Sequence, residues 1–119
     1  MAEGALFVGW GALIPGREKQ AAGVLEAAGD YCARLQREGR IAGFETVLLE
    51  PHGGDLEGFV LVRGEREKLA ALRADPEFVA VIVGVQLVHS KVGVVGAWTG
   101  AGLGEIMPIW AEAEARLGV

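Results

Sequence analysis

The chain has few of the residues that build metal centres or disulfides. Cys32 is its single cysteine, and His52 and His89 are its two histidines. One cysteine cannot form an intramolecular disulfide or supply a thiolate cluster for zinc. Two separate histidines without a nearby carboxylate triad are also a weak basis for a metal site. The sequence therefore predicts no metal and no other cofactor.

Basic runs and long apolar stretches are also missing. Lys and Arg total 11 against 16 Asp and Glu, giving a formal net charge of −5. Without a run of cations to displace phosphate counterions, a non-specific nucleic-acid binder is excluded. The first residues carry an acid where a signal peptide has bases, and no stretch of about 18 uncharged apolar residues could span a bilayer. We expect a cytoplasmic protein with no nucleic-acid or membrane partner.

Apolar residues and glycine are abundant. Hydrophobic residues make up 51% of the 119 positions, charged residues make up 23%, and 19 residues are glycine. This composition excludes disorder, and the length fits one domain over residues 1–119. The many glycines indicate tight turns and close approaches of the backbone.

The stretch 41–64 predicts a β-hairpin. Its arms, TVLL and FVLV, are rich in β-branched and aromatic residues. Between them Pro51 ends the ladder, and two glycines with Asp55 suit a loop of about four or five residues. Because side chains alternate between faces, a sheet with one wet face would show polar residues at every second position. Both faces of this hairpin are mostly apolar, so both need a cover.

Periodicity predicts the other elements. An apolar stripe at three- and four-residue steps indicates a long helix ended by Gly39. A second helical region from Glu65 is interrupted at Asp75 and Pro76, and the apolar run 78–88 after it is interpreted as a helix and not a strand. The predicted elements are a first strand at 5–11, a helix at 17–38, a last strand at 91–98, a loose connection at Gly100, Gly102 and Gly104, and a tail helix at about 105–117 with Ile109, Trp110, Ala113 and Leu117 as its inner side.

This βαββαβ order predicts an α+β, ferredoxin-like sandwich with a four-stranded antiparallel sheet and an added C-terminal helix. Right-handed crossovers place both main helices on one side of such a sheet. The other side is then too apolar for water. A second copy packed face to face on it would give a homodimer. The alternative cover is the tail helix folded back within one chain.

The order, the length and the segment LAALRADPEFVAVI after the third strand resemble the dimeric α/β-barrel superfamily. That group includes antibiotic-biosynthesis-monooxygenase-like, muconolactone-isomerase-like and EthD-like proteins, and the resemblance covers about residues 5–98. It implies a dimeric α/β barrel, with the tail helix as an addition that caps the barrel or reaches over the partner. It identifies no single member.

His89 is the candidate catalytic residue. It lies where the second helical region meets the last strand, so its side chain could cap helix carbonyls or face solvent. The functional alternative is a position facing a cavity between helices and sheet, as a general base or as a ligand for one metal or haem iron. His52, at the hairpin tip, is interpreted as a solvated turn residue or as a proton-transfer group above a pocket.

Three further residues are candidates for substrate binding. Trp10 ends the first strand and suits a core or interface anchor, or a surface for stacking a flat substrate. Tyr31 lies on the inner stripe of the first helix and could donate a hydrogen bond into a cavity. Arg63 could pair with Glu45 across the hairpin or hold an anionic substrate.

Two functions remain open at this point. The resemblance implies a cofactor-independent monooxygenase or isomerase acting on a small apolar molecule, with His89 as base and the other candidates around the substrate. This is an analogy of fold alone. The alternative is a non-catalytic dimeric module that binds a hydrophobic ligand or a protein. Whether the protein is an enzyme is not decided by its residues.

Overall fold

The fold is a four-stranded antiparallel sheet with helices on one side. The structure, a computed structural model, describes residues 3–119. The strand order in the sheet is β2-β3-β1-β4, and each neighbouring pair is antiparallel. The elements are β1 Glu3–Trp10, α1 Glu18–Arg37, β2 Gly43–Leu48, β3 Gly58–Glu65, α2 Arg66–Ala74, α3 Pro76–Val88, β4 Gly93–Ala97 and α4 Ala101–Leu117. This is the predicted ferredoxin-like α+β fold, and the prediction is confirmed.

The break between α2 and α3 has a local cause. The Asp75 carboxylate accepts a hydrogen bond from the Glu77 backbone N–H at 2.8 Å, and Pro76 takes the first helical position. An N-cap acceptor followed by proline is a strong start signal for a helix. The apolar run 78–88 is therefore helical, as predicted, and it packs against α1.

The core lies between the helices and one face of the sheet. Strand side chains on this face alternate with those on the other, so every second residue of β1 and β3 is buried under the helices. The residues of the buried cluster are Leu6, Val8, Trp10, Tyr31, Leu35, Ile41, Val60, Val62, Leu69, Leu72, Phe78 and Val85. Burial of this apolar surface is the main source of stability for the two-layer arrangement.

The opposite face of the sheet is apolar and open in the single chain. The register places Glu45, Leu61, Phe7 and Val95 in one row across the four strands. Val95 is 56% exposed. The Phe7 ring stacks on that of Phe59, with centroids 4.9 Å apart. Within residues 3–119 no helix lies across this face.

The tail helix differs from the prediction. It begins at Ala101, so Gly102 and Gly104 lie inside a helix and not in a loose connection. Gly102 packs closely on the backbone of Glu3 and on Trp98, and Arg66 pairs with Glu105 at 2.8 Å. The four residues predicted to face inward, Ile109, Trp110, Ala113 and Leu117, are all exposed.

The helix therefore does not fold back over the sheet. Among the described residues after Leu103, Ile106 is the one that is partly buried, and the others are exposed. Helix α4 therefore contacts the rest of the protein through its first turns and projects away from it. The first ten residues of α4 carry one charged side chain, that of Glu105. Within one chain the expected inner side of α4 therefore has no surface to face, and the alternative of a tail helix folded back over the sheet is wrong.

The cap of α3 gives a prediction about pH. The Arg40 guanidinium, which binds Asp75 at 2.7 Å, and the Glu77 N–H both lower the pKa of the Asp75 carboxyl. The stability that this charge contributes is present above the pKa of the unfolded chain and is lost as pH falls through the folded pKa. Asp75→Asn keeps a capping side chain but not the charge. We expect its melting temperature at pH 7 to fall by roughly 2–5 °C.

Thermal melts from pH 7 down to pH 2.5 measure the effect. The deficit of Asp75→Asn should shrink as pH falls, because the wild-type carboxyl becomes neutral too. Asp30→Asn, an exposed change on α1, is the control. A deficit that is the same at both ends of the pH range would show that charge plays no part.

Candidate functional site

A small apolar cavity lies in the core, between α1, α3 and the sheet. Its volume is about 40 Å³. That is room for water-sized molecules, so a larger ligand requires the walls to move apart. The lining surface is almost wholly apolar, and the lining residues that carry a polar side-chain group are His89, Tyr31 and Cys32. The remaining lining residues are Val8, Trp10, Val24, Leu25, Ala28, Leu35, Val60, Val62, Leu72, Phe78, Val81, Ile82 and Val85.

Two loops hold His89 in the cavity wall. The segment after β1 pairs with the segment after α3: Gly11 N–H donates to Ser90 O at 2.7 Å, and Ser90 N–H donates to Ala12 O at 2.9 Å. Leu13 and His89 form an antiparallel bridge within this pairing. The backbone N–H of His89 also caps α3 by donating to Val85 O at 2.9 Å. The backbone at His89 is therefore held from both sides.

The hydrogen bond of the His89 ring determines its tautomer. Nδ1 lies 2.9 Å from the carbonyl oxygen of Gly11. A carbonyl only accepts, so Nδ1 carries the hydrogen and the neutral ring has its lone pair on Nε2. The side chain does not cap a helix carbonyl. It lies beside the indole of Trp10, with ring centroids 5.9 Å apart.

Tyr31 is the other polar group of interest. Its side chain is 6% exposed, and its hydroxyl oxygen is buried with no hydrogen-bond partner in residues 3–119. Burial raises the pKa of the phenol, with Asp75 acting in the same direction, so the hydroxyl is a neutral donor. A buried donor without a partner is costly and calls for an explanation.

The Cys32 thiol is a poor nucleophile. Burial raises its pKa to about 11. A thiol kept protonated in an apolar wall packs as a small hydrophobe and does not react as a thiolate.

A second, open depression adjoins the cavity. It has a volume of about 580 Å³ and lies between the start of α1 and the ends of β1 and β2. Trp10, Leu25 and His89 line both spaces and form the partition between them. The other residues lining the depression are Gly11, Ala12, Leu13, Glu18, Ala21, Ala22, Leu48, Leu49 and Glu57.

The structure brings three of the five predicted site residues together. His89, Trp10 and Tyr31 line one cavity. His52 lies at the hairpin tip, where Nε2 donates to Leu56 O at 2.6 Å and Nδ1 accepts from the Gly54 N–H at 3.0 Å. Both ring nitrogens of His52 therefore form hydrogen bonds within the turn.

Arg63 lies on the open face of the sheet, not in the cavity. Its guanidinium is 3.8 Å from the Glu45 carboxylate, with both side chains about half exposed. An exposed pair of this kind contributes little stability.

Sequence reasoning did not identify Leu25, Gly11 or Glu57 as part of a site. Leu25 was recognised only as a member of an apolar stripe, and a carbonyl such as that of Gly11 leaves no signal in the sequence. The contact between Gly11 and His89 depends on two loops that meet in three dimensions and are 78 positions apart.

Metal-ligating clusters and membrane-spanning helices are both absent from the described chain. Residues 3–119 contain no group of three or more His, Cys, Asp or Glu side chains placed to hold a metal ion. None of their helices is both long and apolar enough to cross a bilayer.

Solved structures share this fold. A dimeric ferredoxin-like protein of unknown function from a Jannaschia species aligns with a TM-score of 0.63 at 11% identity, over 82% of this chain and 100% of its own. A DABB-family protein with a ferredoxin-like fold from Mesorhizobium loti aligns with a TM-score of 0.62 at 11% identity, over 83% and 99%. A variant of SnoaB, a cofactor-independent oxygenase from Streptomyces nogalater, aligns with a TM-score of 0.55 at 13% identity, over 83% and 97%.

These likenesses establish the fold. No protein-family model matches the chain, and a comparison with curated proteins finds no match. At such low identities the shared architecture does not carry an activity with it. The expected resemblance to dimeric ferredoxin-like proteins is confirmed, and no particular member is identified.

The buried phenol gives a prediction about stability. Tyr31→Phe removes a hydroxyl that has no partner, so the protein should be as stable as wild type or more stable by up to about 1 kcal/mol. Chemical denaturation measures the difference. Leu35→Ala, a neighbouring truncation at a fully buried site, is the contrast and should cost about 2–5 kcal/mol. A loss of more than about 1 kcal/mol in Tyr31→Phe would mean that the hydroxyl has a structural partner.

Proposed function

We propose that this chain forms a homodimeric α/β barrel that takes a small apolar, flat molecule into the cavity of each protomer. The proposed reaction is a cofactor-independent oxygenation or isomerisation that begins with proton removal by His89. The observation that carries the proposal is the His89 ring, which stands in the wall of an apolar cavity with Nδ1–H fixed on the Gly11 carbonyl.

The geometry suits a general base. With the hydrogen on Nδ1, the lone pair on Nε2 can accept a proton from a substrate O–H or C–H. The Gly11 carbonyl then stabilises the positive ring through the hydrogen bond that it already accepts. Removal of a proton from a phenol or enol leaves an electron-rich anion. Such an anion can react with molecular oxygen or take the proton back at another carbon, which are the two reaction classes proposed.

Trp10 and Tyr31 would bind and orient the substrate. The indole of Trp10 lies beside the base and offers a flat apolar surface. The Tyr31 hydroxyl is a buried donor without a partner in the described chain, so a substrate oxygen would satisfy it. A hydrogen bond to that oxygen would also stabilise negative charge that forms on it.

The dimer is proposed from the open face of the sheet. Leu61, Phe7 and Val95 share one row on that face, and Val47 and Phe59 lie in the next row. A second copy of the same surface would cover these residues, and self-complementary patches of this kind give two-fold dimers. Two similar solved structures are themselves described as dimeric ferredoxin-like proteins.

Association is tested by mass in solution. Light scattering should give about twice 12.5 kDa for the wild type. Val95→Arg puts a charge on the open face beside Phe7, on the edge strand away from Glu45, where the dimer would bury it, and should give a protein near 12.5 kDa. Val79→Arg, at an exposed apolar residue of α3, is the matched control and should remain dimeric. A wild-type mass near 12.5 kDa at micromolar concentration would refute the dimer.

The role of the base is tested by turnover. Flat phenols such as 1,3-dihydroxynaphthalene are incubated with the protein while oxygen uptake and the absorbance spectrum are recorded. Turnover with oxygen uptake indicates an oxygenase, and a spectral change without it indicates an isomerase. His89→Ala should lower the rate by about 10²–10⁴-fold, the usual contribution of a general base. His52→Ala, outside the cavity, is the control and should keep most of the rate. Unchanged turnover in His89→Ala would remove this residue from the mechanism.

A non-catalytic binding module is the second candidate. The observation that favours it is the character of the cavity walls, which are aliphatic and aromatic apart from three polar side chains. An enzyme needs polar groups that converge on the reacting atoms, whereas apolar walls are sufficient for storage or sensing of a ligand. Saturable binding of the same phenols by calorimetry, with no turnover in wild type, would favour the module.

A further inference from the structure

We propose that the open depression beside the cavity is the binding site through which the ligand enters, and that Glu18 and Glu57 make it select uncharged or cationic aromatic molecules against anionic ones. This inference rests on the proposed function, since it concerns the ligand of the same cavity. It adds the route of entry and the charge of the ligand.

The shared wall gives the route. Trp10, Leu25 and His89 line both the depression and the inner cavity, so one layer of side chains separates them. Leu25 and His89 are only partly buried. A rotation of the Leu25 side chain is the smallest movement of this partition, because the Gly11 carbonyl holds the His89 ring. With Leu25 rotated, the cavity and the depression would form one continuous space. That space is large enough for a flat ligand.

The floor of the depression is apolar and faces away from the proposed dimer interface. Leu13 is 43% exposed and Leu48 is 64% exposed, although both are large apolar side chains. Leu48 and Trp10 lie on the helical face of the sheet, in register with residues that pack under the helices. A second sheet on the opposite face therefore leaves the depression uncovered. Exposed leucines around a concave surface are typical of a ligand site.

The charge of the rim is of one sign. Of the described residues that line the depression, Glu18 and Glu57 are the ones with a full charge, and both are acidic. Glu18 is the first residue of α1, and its Oε1 accepts from the Gly16 N–H at 3.2 Å. Glu57 is fixed through its backbone, which bonds to Trp10 O and to the Leu49 N–H, each at 2.9 Å.

The basic residues next to Glu18 in the chain, Arg17 and Lys19, do not line the depression. The guanidinium of Arg17 donates to the carbonyl of Leu87. The whole chain also carries a formal net charge of −5. Two carboxylates at the rim of an apolar concavity attract an ammonium group and repel a carboxylate, and both effects weaken with salt.

Three probes of one shape test the charge preference. They are 1-naphthylmethylamine, 1-naphthylmethanol and 1-naphthoate, titrated against the intact protein while the indole N–H signal of Trp10 is followed by NMR. At low salt we expect the amine and the alcohol to bind and the naphthoate to bind roughly tenfold more weakly than the amine. Raising the salt to about 0.5 M should remove most of that difference.

Variants assign the preference to the two carboxylates. Glu18→Gln with Glu57→Gln should bring the amine and the naphthoate to within about threefold of each other and leave the affinity of the alcohol unchanged. Glu26→Gln with Glu67→Gln changes the net charge by the same amount outside the depression and should leave the tenfold difference in place. Equal discrimination in both double variants would overturn the inference, because net charge alone would then explain it.

A filling variant tests the place of binding. Ala22→Trp puts a large side chain into the depression from α1 and should weaken all three probes at least tenfold, whereas Ala80→Trp on the exposed side of α3 should not. Naphthoate binding as tightly as the amine, or undiminished binding in Ala22→Trp, would refute the proposal.

These outcomes differ from a failure of the proposed reaction. If the probes bind selectively in the depression but turnover does not change in His89→Ala, the inference about ligand entry is supported. The proposed role of His89 as the base is then refuted. Absence of binding by all three probes would refute both.

Discussion

The structure depends on one constraint, which is that the sheet is apolar on both faces while the packed helices cover one. Helices α1, α2 and α3 cover the face of the sheet that carries Leu6, Val8 and Trp10. Burial of that face stabilises the packing of the helices on the sheet. The other face keeps Leu61 and Val95 in contact with water in the single chain. The hydrophobic effect makes such a face unfavourable to leave open. The proposed self-association would follow from the same sequence pattern that forms the sheet.

The two faces of the sheet also separate the proposed dimer interface from the proposed ligand site. The cavity and the depression both lie on the helical side of the sheet, within one protomer. In the proposed dimer, a ligand would therefore reach each protomer without separation of the two copies. Natural selection can then act on the open face for self-complementarity, while the packing under the helices can retain a cavity. That division would allow a chain of 119 residues to hold both the proposed interface and a pocket.

The sequence predicted the sheet, the long first helix and the broken second one from local signals. Alternation, an apolar stripe and the Asp75-Pro76 start are each contained within a few residues, and tertiary packing agreed with them. The start of α4 was missed, because Gly102 and Gly104 discourage a helix and Pro108 lacks the N–H of an interior position. In the structure that turn is exposed, so water can hydrogen-bond the Gly104 carbonyl that Pro108 leaves without a partner. The candidate site could be predicted only in part, since His89 and Tyr31 were recognised by residue type but line one cavity only through the packing of α1 and α3 on the sheet. The Gly11 carbonyl that sets the tautomer of His89 is 78 residues away in the chain and carries no sequence signal.

The physical character of the cavity argues for a role beyond packing. A core optimised for stability alone would fill a void of about 40 Å³ and would not bury the Tyr31 hydroxyl without a partner. Both features lower the stability of the free protein, and His89 is among the residues that line the same cavity. Natural sequences depart from local optima most often at functional sites. A ligand that fills the void and accepts a hydrogen bond from Tyr31 would remove both defects at once, so the energy lost in the free protein would return as binding.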